Sequence, residues 1–369
     1  MRNVVLFGAG KIGRMIAAFL SASGDYKLLV VDNDAERLRR VAGRDRVETA
    51  LVDATDGQAV ERALQGRECL ISALSFKFNA PLAEAAIVCG VSYFDLSEDV
   101  ETTRRIRTIA GTAHAGQTFM PQCGLAPGFV AILAKHLTTS FDRLDTVHMR
   151  VGALPQFPSN ALRYNLTWST DGLINEYCNP CEAILDGKRT DLRPLEGLEH
   201  FWLNGVQYEA FNTSGGVGTL CETLDGQLRE LNYKTIRYPG HRDLMSFLIE
   251  DLRLDERRDL LKDVLERAIP VTFQDMVVVF CTASGWRRHQ LVQLSDARVI
   301  YSQTLYGEAW SAIQISTAAA LCAVLDLKFE SKLHDTGFVR QEEIALDDFV
   351  VNRFGQYYAD APRIEDQRA

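Results

Sequence analysis

The sequence lacks an excess of positive charge, a membrane-length apolar run and a tract rich in Gly, Ser or Pro. Its 49 acidic residues outnumber 40 lysines and arginines, and the formal net charge is −9. Nucleic-acid binders need a dense basic face, so we expect no nucleic-acid partner. The longest apolar stretch, residues 312–327, contains polar side chains and is shorter than the roughly 20 residues that span a bilayer. It predicts a buried helix, and we expect no membrane partner.

The sequence also lacks the cysteine spacing of a metal site. Eight cysteines are scattered along the chain, and only Cys178 and Cys181 form a CxxC pair. A zinc site normally needs two further ligands at comparable spacing, so we expect no metal. Several cysteines lie in apolar runs, which is typical of reduced thiols in a cytoplasmic protein. The first seven residues run directly into Gly8, so we expect no signal peptide.

A chain of 369 residues favours two domains. The first third alternates short apolar strands with helical patterns, which predicts an α/β fold with a doubly wound parallel sheet, a Rossmann arrangement. The predicted strands are residues 3–7, 27–31, 47–52, 69–74, 91–94 and 118–120, and the predicted helices are residues 12–21, 34–41, 56–64, 80–89 and 100–113.

After Gly124 the predicted strands are separated by longer intervals, which predicts a second α+β domain with a mainly antiparallel sheet. A turn is expected at residues 295–297, between the last two strands, and the polar segment 362–369 is expected to be mobile. Strands are predicted at residues 146–151, 276–282, 290–294 and 298–304, and helices at residues 244–251 and 257–267.

The first predicted strand ends in Gly8-Ala9-Gly10-Lys11-Ile12-Gly13, the GxGxxG pattern of a dinucleotide site. Gly8 allows a tight turn, Gly10 lets the backbone approach a pyrophosphate, and Gly13 lets the helix pack on its strand. The helix N-terminus then faces the phosphates. The second strand ends at Asp32, where an acidic residue accepts hydrogen bonds from the ribose hydroxyls and repels a 2′-phosphate.

We therefore predict NAD as the cofactor. Neighbouring Asn33 and Asp34 add no cation to reverse that preference, and Asp53 either contacts adenine or forms a turn. The segment 73–75 reaches the carboxyl edge of the sheet, where ligands bind in such folds. The predicted cofactor-binding residues are Gly8, Gly10, Lys11, Ile12, Gly13, Asp32, Asn33, Asp53, Ala73, Leu74 and Ser75.

Several polar positions are candidates for the chemistry. Asp95 follows a strand and either accepts a proton in the reaction or caps a helix. The stretch from Cys123 and Gly124 to Gly128 begins a helix and is either an anion-facing turn or an interdomain hinge. The cluster 237–241 combines the bidentate carboxylate binder Arg237 with Tyr238 and His241, and His241 is either an acid or base or a helix cap. Residues 163–172 alternate like a polar strand.

These pieces resemble the saccharopine dehydrogenase-like family, in particular its lysine 6-dehydrogenases and saccharopine reductases. The resemblance rests on GAGKIG at 8–13, CGLAPGF at 123–129, VGALP at 151–155, YNLTWSTDGLINEY at 164–177 and TIRYPGH at 235–241. It implies a Rossmann domain of residues 1–122, completed by residues 308–369 with a helix over 311–326. Residues 123–307 would form the substrate, catalytic and dimerisation domain.

The resemblance also implies an activity, which is NAD-dependent oxidation of the side-chain amine of L-lysine or a related amino acid. Ala126 stands where saccharopine reductases tend to carry an aspartate, which favours the lysine type, whereas Asp171 stands where the family commonly has an arginine. The candidate catalytic residues are Asp95, Arg237 and His241. The candidate substrate-binding residues are Cys123, Gly124, Tyr164, Thr167, Trp168 and Tyr238.

Three alternatives remain open. Two are enzymes, a saccharopine reductase and a polyamine-pathway carboxyamine dehydrogenase. The third is a non-catalytic NAD(H)-binding sensor, because a Rossmann fold binds the cofactor whether or not a substrate site is competent. Base rates favour a homodimer.

Overall fold

The computed structural model describes residues 1–359. The expectation for residues 362–369 lies outside that range. The first third of the chain alternates strands and helices as predicted. The strands are β1 (Arg2–Phe7), β2 (Tyr26–Asp32), β3 (Val47–Leu51), β4 (Cys69–Ser72), β5 (Ser92–Asp95) and β6 (Thr118–Met120). The helices are α1 (Lys11–Ser23), α2 (Ala35–Arg39), α3 (Gly57–Leu64), α4 (Asn79–Cys89) and α5 (Val100–Ala110), with a 3₁₀ turn at Phe76–Phe78.

The remaining chain forms the second sheet and returns to the first. Its elements are α6 (Phe129–Thr138), β7 (Arg143–Pro155), α7 (Thr170–Cys178), β8 (Cys181–Leu185), β9 (Lys188–Leu192), β10 (Glu199–Leu203), β11 (Val206–Asn212), α8 (Leu220–Thr223), β12 (Glu230–Arg237), α9 (His241–Ser246), α10 (Arg258–Ala268), β13 (Asp275–Arg287), β14 (Gln290–Tyr301), β15 (Gln303–Leu305), β16 (Glu308–Trp310), α11 (Ala312–Phe329), β17 (Gly337–Phe338) and α12 (Leu346–Val351). A π-helical turn at Phe247–Asp251 follows α9, and 3₁₀ turns lie at Leu254–Arg257, Gln341–Glu343 and Gly355–Tyr358.

The first sheet has seven parallel strands in the order β17-β6-β5-β4-β1-β2-β3. Chain order reverses between β1 and β4, so the loops after these strands diverge and leave a crevice at the carboxyl edge. The central strands are buried on both faces, as their nearly continuous apolar sequence requires. The predicted doubly wound parallel fold is confirmed.

The second sheet has eight strands, with the path β10-β11-β12-β7-β13-β14 and with β8 and β9 joined at β12. All of its pairs are antiparallel except β12 with β7. The predicted α+β domain with a mainly antiparallel sheet is therefore confirmed. Strands β8 to β12 were not predicted. In β9 and β10 charged residues lie on an exposed face and weaken the hydrophobic pattern, whereas β12 is buried although it carries polar and charged side chains.

Two local predictions are wrong. The turn predicted at 295–297 lies inside β14, which pairs with β13 over its whole length. The hairpin turns instead at Arg288 and His289, both with positive φ, as a two-residue hairpin of this handedness requires. The stretch 163–172 is not a strand either. It is a loop that ends where Ser169 caps α7 by accepting a hydrogen bond from the Gly172 N–H.

Helices α6 and α11 pack between the two sheets and join them through one apolar cluster. Of the helices in residues 1–359, only α11 has the length and apolar composition to cross a membrane, and 83% of it is buried inside the protein. It packs against α1 of the first domain. Both β12 and the carboxyl ends of the parallel strands thereby face one crevice.

Candidate active site

A cavity of about 990 Å³ lies between the carboxyl edge of the parallel sheet and the inner face of the second sheet. Its walls combine backbone turns from the first sheet with side chains from α7 and β12. The predicted cofactor residues on its wall are Gly8, Gly10, Lys11, Ile12, Asp32, Asn33, Asp53, Ala73, Leu74 and Ser75. The predicted substrate residues on its wall are Gly124, Thr167, Trp168 and Arg237.

The glycine turn after β1 has the geometry that a pyrophosphate needs. Gly8 has φ +103°, and a Cβ on Gly13 would lie 1.9 Å from the Gly8 carbonyl oxygen. Gly13 is therefore not on the cavity wall but holds α1 against β1. A Cβ on Gly10 would meet no protein atom within 4 Å, so that space is open for a ligand. No side chain caps the N-terminus of α1, which leaves its N–H groups free for an anion.

Asp32 lies at the end of β2 and contacts the glycine turn that follows β1. Its carboxylate accepts hydrogen bonds from the Ala9 N–H at 2.7 Å and the Asp34 N–H at 2.9 Å, and the residue is 4% exposed. Asp53 forms a turn with Thr55, whose N–H holds the pKa of Asp53 below its ordinary value. Asp53 therefore forms the turn and borders the cavity, and its contact with adenine stays a prediction.

Two arginines at this end of the cavity were missed. Arg37 lies in α2 and Arg40 follows it, and both line the cavity beside Asp32. The side chain of Arg37 lies 3.3 Å from the carboxylate of Asp34. Neither arginine is adjacent to Asp32 in the sequence, but the short helix α2 brings both back to the end of β2. The helical spacing of Ala35-Glu36-Arg37-Leu38-Arg39-Arg40 could have revealed them.

Arg237 is the buried cation of the site. It projects from β12, is 3% exposed, and its guanidinium lies 5.0 Å from the centre of the Tyr164 ring. Nε donates to the Tyr177 hydroxyl at 2.8 Å and Nη1 donates to the Ile236 carbonyl at 2.8 Å. Burial opposes its charge, but Tyr177, Tyr164 and Glu176 raise the pKa of Arg237 above its ordinary value. Nη2 donates to no residue within 1–359 and is available to a ligand.

The structure places His241 behind this arginine and not on the cavity wall. Its Nδ1 lies 2.9 Å from the Leu162 carbonyl, so it donates there, and Nε2 accepts from the Tyr177 hydroxyl at 3.0 Å. Burial and the charge of Arg237 lower the pKa of His241 to about 3, so the imidazole is neutral. The geometry does not support an acid–base role. His241 orients Tyr177, which in turn orients Arg237.

Tyr238 also lies away from the cavity. Along β12, alternate side chains point to opposite faces, so Tyr233, Thr235 and Arg237 face the cavity while Tyr238 does not. The Tyr238 hydroxyl donates to the Pro155 carbonyl at 2.9 Å, and its ring stacks on Tyr208. The five-residue cluster therefore divides between two faces of the sheet, and sequence proximity was misleading there.

Asp95 and Cys123 lie beneath the cavity floor and are not on its wall. Asp95 is fully buried and accepts hydrogen bonds from the Tyr93 hydroxyl, the Asn79 amide and the N–H groups of Ser97 and Gln122. Burial raises the pKa of the Asp95 carboxyl and of the Cys123 thiol. Asp95 therefore organises the loops after β5 and β6, and a direct role in the chemistry is not supported by this geometry.

Two glutamates on the cavity wall were missed. Glu176 lies on α7 and is 7% exposed, and Glu98 follows β5 and is partly buried. Burial, reinforced by the charge of Glu98, raises the pKa of Glu176 to about 8, although Arg237 opposes the shift. Burial raises the pKa of Glu98 to about 7. A helical interpretation of residues 170–178 would have placed Glu176 on the same face as Gly172.

All eight cysteines are unpaired, as expected for reduced thiols. Within the described part of the chain, no group of three or more His, Cys, Asp or Glu residues is arranged to hold a metal ion. The site consists of an anion-binding backbone turn at one end and of buried ionisable side chains at the other.

Comparison with known proteins identifies relatives of both parts of the chain. Residues 4–120 match the family model "saccharopine dehydrogenase NADP binding domain", and residues 124–356 match "saccharopine dehydrogenase C-terminal domain". The sequence is 24% identical over 337 residues to the saccharopine dehydrogenase [NADP(+), L-glutamate-forming] of Saccharomyces cerevisiae, covering 84% of this chain and 71% of that one. It is 21% identical to the enzyme of the same name from Pyricularia oryzae, covering 72% of this chain and 61% of that one.

A solved structure shares the fold over nearly the whole length. The apo saccharopine dehydrogenase (L-Glu forming) from Saccharomyces cerevisiae superposes with a TM-score of 0.77 at 17% identity, covering 95% of this chain and 96% of that one. The curated fungal relatives extend beyond the aligned region, since this chain spans 61% to 71% of their length.

Proposed function

Since the chain belongs to the saccharopine dehydrogenase family, we propose that it oxidises a CH–NH bond of L-lysine or a closely related amino acid. A bound nicotinamide coenzyme supplies the hydride acceptor for such a reaction. The observation that carries the proposal is Arg237, a buried guanidinium with a free Nη2 at the cavity wall. A guanidinium donates strong, charge-assisted hydrogen bonds to a carboxylate.

In this proposal Arg237 binds the substrate's α-carboxylate. Tyr177 and His241 fix the plane of the guanidinium, so no rotamer freedom is lost when the substrate binds. Trp168 and Thr167 form an adjacent wall that takes the apolar methylene chain. The substrate carbon that loses a hydride would then lie between this wall and the nicotinamide end of the coenzyme site.

We propose NAD as the preferred coenzyme. The Asp32 carboxylate is held by two backbone N–H groups at the end of β2. It would repel the 2′-phosphate of NADP, because both groups are negatively charged. NADP is the second candidate, because the family model for residues 4–120 is described as NADP-binding and because Arg37 and Arg40 line the cavity beside Asp32.

A saccharopine-type secondary amine is the second candidate substrate. The similarity to two fungal saccharopine dehydrogenases favours it, whereas Ala126 on the cavity wall, in place of the family's aspartate, favours a lysine-type substrate. The polyamine-pathway enzyme remains a third enzymatic alternative. A cytoplasmic homodimer without nucleic-acid or membrane partners stays a prediction, and sedimentation of the purified chain would test the dimer.

Turnover by the purified chain tests the proposal. NADH and NADPH formation would be followed with L-lysine, saccharopine, putrescine and L-norleucine, which lacks the side-chain amine of lysine. We expect turnover with L-lysine and NAD, and none with L-norleucine. Tight coenzyme binding with no turnover of any amine would instead support the sensor.

A further inference from the structure

Two of the carboxyl groups on the cavity wall, those of Glu98 and Glu176, take no part in binding the α-carboxylate. Glu98 comes from the segment between β5 and α5, and Glu176 comes from α7. They belong to different parts of the chain, so only the closure of the two sheets over the cavity brings them together. Glu98 Oε1 lies 3.2 Å from the Cβ position of Gly172, one helical turn before Glu176, and the charge of Glu98 raises the pKa of Glu176.

Glu98 lies in a cradle built from glycines. A Cβ on Gly172 would lie 3.2 Å from Glu98 Oε1, and a Cβ on Gly215 would lie 3.3 Å from Glu98 Cβ and 2.6 Å from its carbonyl oxygen. Glu176 follows Gly172 by one helical turn, so both residues lie on the same face of α7. A side chain at Gly172 would clash first with the Trp168 ring, 2.3 Å from its Cβ, and one at Gly215 would clash with the Glu98 backbone. Both glycines therefore permit the close packing that holds Glu98 at the cavity.

Glu176 is a buried carboxyl group without a hydrogen-bond donor. Its oxygens accept no hydrogen bond from any residue within 1–359, although the residue is 7% exposed and lines the cavity. A buried carboxylate without donors is costly, so such a group holds a proton or awaits a cation. Arg237 forms no salt bridge with Glu176, and its Nε and Nη1 donate instead to Tyr177 and to the Ile236 carbonyl.

The ionisable groups around the pair explain its charge state. Arg237 and Tyr233 face Glu176 from β12, Cys181 from β8, Tyr164 from the preceding loop and Tyr177 from α7 itself. The charges of Asp99, Asp95 and Asp171 act on Glu98 in the same direction as burial. Arg237 is the cation whose charge lowers the pKa of Glu176, and a cationic group of the substrate would add a second favourable charge beside the two carboxyl groups.

We propose that Glu98 and Glu176 bind the side-chain ammonium group of the substrate and that one of them accepts its proton. This inference rests on the proposed function, because it assigns the two ends of one substrate. Arg237 binds the α-carboxylate at one end of the substrate, and Glu98 and Glu176 bind the ammonium group at the other end. The site then selects amino acids whose side chain ends in a cationic amine.

The proton transfer makes the oxidation possible. An N–H bond of the ammonium breaks and its proton forms an O–H bond with a glutamate oxygen, which leaves a neutral amine. A C–H bond next to the nitrogen then breaks, and its hydrogen leaves with both electrons for the bound oxidised nicotinamide coenzyme. The nitrogen lone pair forms the C=N bond, and water hydrolyses the iminium to an aldehyde and ammonium. The substrate loses two electrons and the coenzyme gains them.

Ligand binding tests the ammonium site without turnover. The chain would be loaded with NADH, and the Kd values of L-lysine and L-norleucine would be measured by calorimetry. We expect L-lysine to bind at least about tenfold tighter, since a cation is placed among unpaired carboxyl groups. Glu176→Gln should abolish this difference and leave L-norleucine binding unchanged, whereas the exposed Glu101→Gln should retain it. Equal Kd values for both ligands in the unaltered chain would overturn the proposal.

A carboxyl ¹³C titration separates this inference from the proposed function. With glutamate labelled and no substrate added, two carboxyl groups should titrate near pH 7 and 8, and Glu98→Gln or Glu176→Gln should each remove one. Titration of all glutamates near their ordinary pKa would overturn the pair even if L-lysine is a substrate. Should no basic amine be turned over, the proposed function fails, and this titration with the calorimetry still decides the inference. If Glu176→Gln does not fold, Glu98→Gln and the unaltered chain provide both measurements.

The rate provides a third readout. If a glutamate accepts the proton, kcat/KM for L-lysine should rise with pH through the range 7 to 8, because only the ionised carboxyl accepts. This rise of kcat/KM with pH should disappear in whichever of Glu98→Gln and Glu176→Gln removes the proton acceptor, together with at least about a hundredfold loss in kcat. An unchanged rise and an unchanged kcat in both glutamine variants would overturn the proposal.

Discussion

The two halves of the cavity recognise charge by different means. The coenzyme half uses backbone N–H groups at a helix N-terminus, and its shape depends on Gly8 and Gly13. The substrate half uses buried side chains, which are Arg237, Glu98 and Glu176. A backbone site is sensitive to added volume and indifferent to pH, whereas a site of buried ionisable groups is sensitive to single charges and to pH. Substitutions in the coenzyme half should therefore act through added volume, and substitutions in the substrate half should act through the loss of a charge.

The largest effect is expected from added volume in the coenzyme half. In Gly13→Ala the new Cβ would lie 1.9 Å from the Gly8 carbonyl oxygen, so α1 must move away from β1. We expect a loss of about 3 kcal/mol or more in the free energy of unfolding and no measurable coenzyme binding. Thermal melts and fluorescence titration with NADH would measure both. Gly57→Ala, whose Cβ meets nothing within 4 Å, is the matched control and should change neither.

The removal of a charge from the substrate half should have the second-largest effect. Arg237→Ala should lower kcat/KM for L-lysine by about 100- to 1000-fold, because the α-carboxylate loses its bidentate partner, and it should leave the Kd of NADH unchanged. Arg237→Lys keeps the charge but loses the planar fork and should recover only part of the loss. Arg193→Ala, whose side chain is 76% exposed, should behave like the unaltered chain. A parallel rise in the Kd of NADH would contradict the division into two halves.

The choice of coenzyme tests the role of the Asp32 carboxylate in the coenzyme half. Asp32→Ser should raise the ratio of kcat/KM for NADP over NAD by about tenfold or more, since a repelling charge is removed near Arg37 and Arg40. The exposed Asp45→Ser should leave the ratio unchanged. A preference for NADP in the unaltered chain would reverse our proposal and would assign the 2′-phosphate to the two arginines.

The hydrogen-bond chain behind Arg237 should give a smaller effect. Tyr177→Phe removes the acceptor of Arg237 Nε and the partner of His241 while keeping the ring. We expect KM for L-lysine to rise by about tenfold with kcat changed less than about twofold, because the guanidinium is less well oriented before binding. Tyr238→Phe loses a hydroxyl on the other face of the sheet and should change neither constant. A fall in kcat alone would argue against a positioning role.

The smallest effect is a pH dependence of stability. Between the ordinary glutamate pKa and about 8, Glu176 holds a proton in the folded chain and not in the unfolded chain. The folded chain binds more protons there, so its stability should fall as the pH rises through that range. Glu176→Gln should therefore gain at least about 1 kcal/mol in relative stability between pH 6 and pH 9, measured by urea unfolding. Glu101→Gln should show no such gain, and parallel curves for all three proteins would contradict the raised pKa.

The coenzyme half was largely predictable from the sequence because its residues are local. The motif 8–13 and Asp32 are read from one strand–helix–strand unit, and the sheet that holds them has a strong apolar pattern. Arg37 and Arg40 were not predicted, since their approach to Asp32 depends on how α2 folds back toward the end of β2.

The substrate half was less predictable because its residues come from distant segments. Sequence proximity grouped Tyr238 and His241 with Arg237, but strand alternation and burial separate them. Glu98 and Glu176 carry no motif, and their raised pKa values arise from burial that only tertiary packing creates. The interpretation of residues 163–172 as a strand also concealed α7, and with it the face that presents Glu176.

A crystal structure of the chain with NADH and L-lysine tests the account most directly. We expect the α-carboxylate of lysine to accept hydrogen bonds from Arg237 and its side-chain nitrogen to lie within hydrogen-bond distance of Glu98 or Glu176. The methylene chain should lie against Trp168. A bound lysine with its carboxylate away from Arg237, or with its ammonium away from both glutamates, would contradict the assignment of the two ends of the substrate.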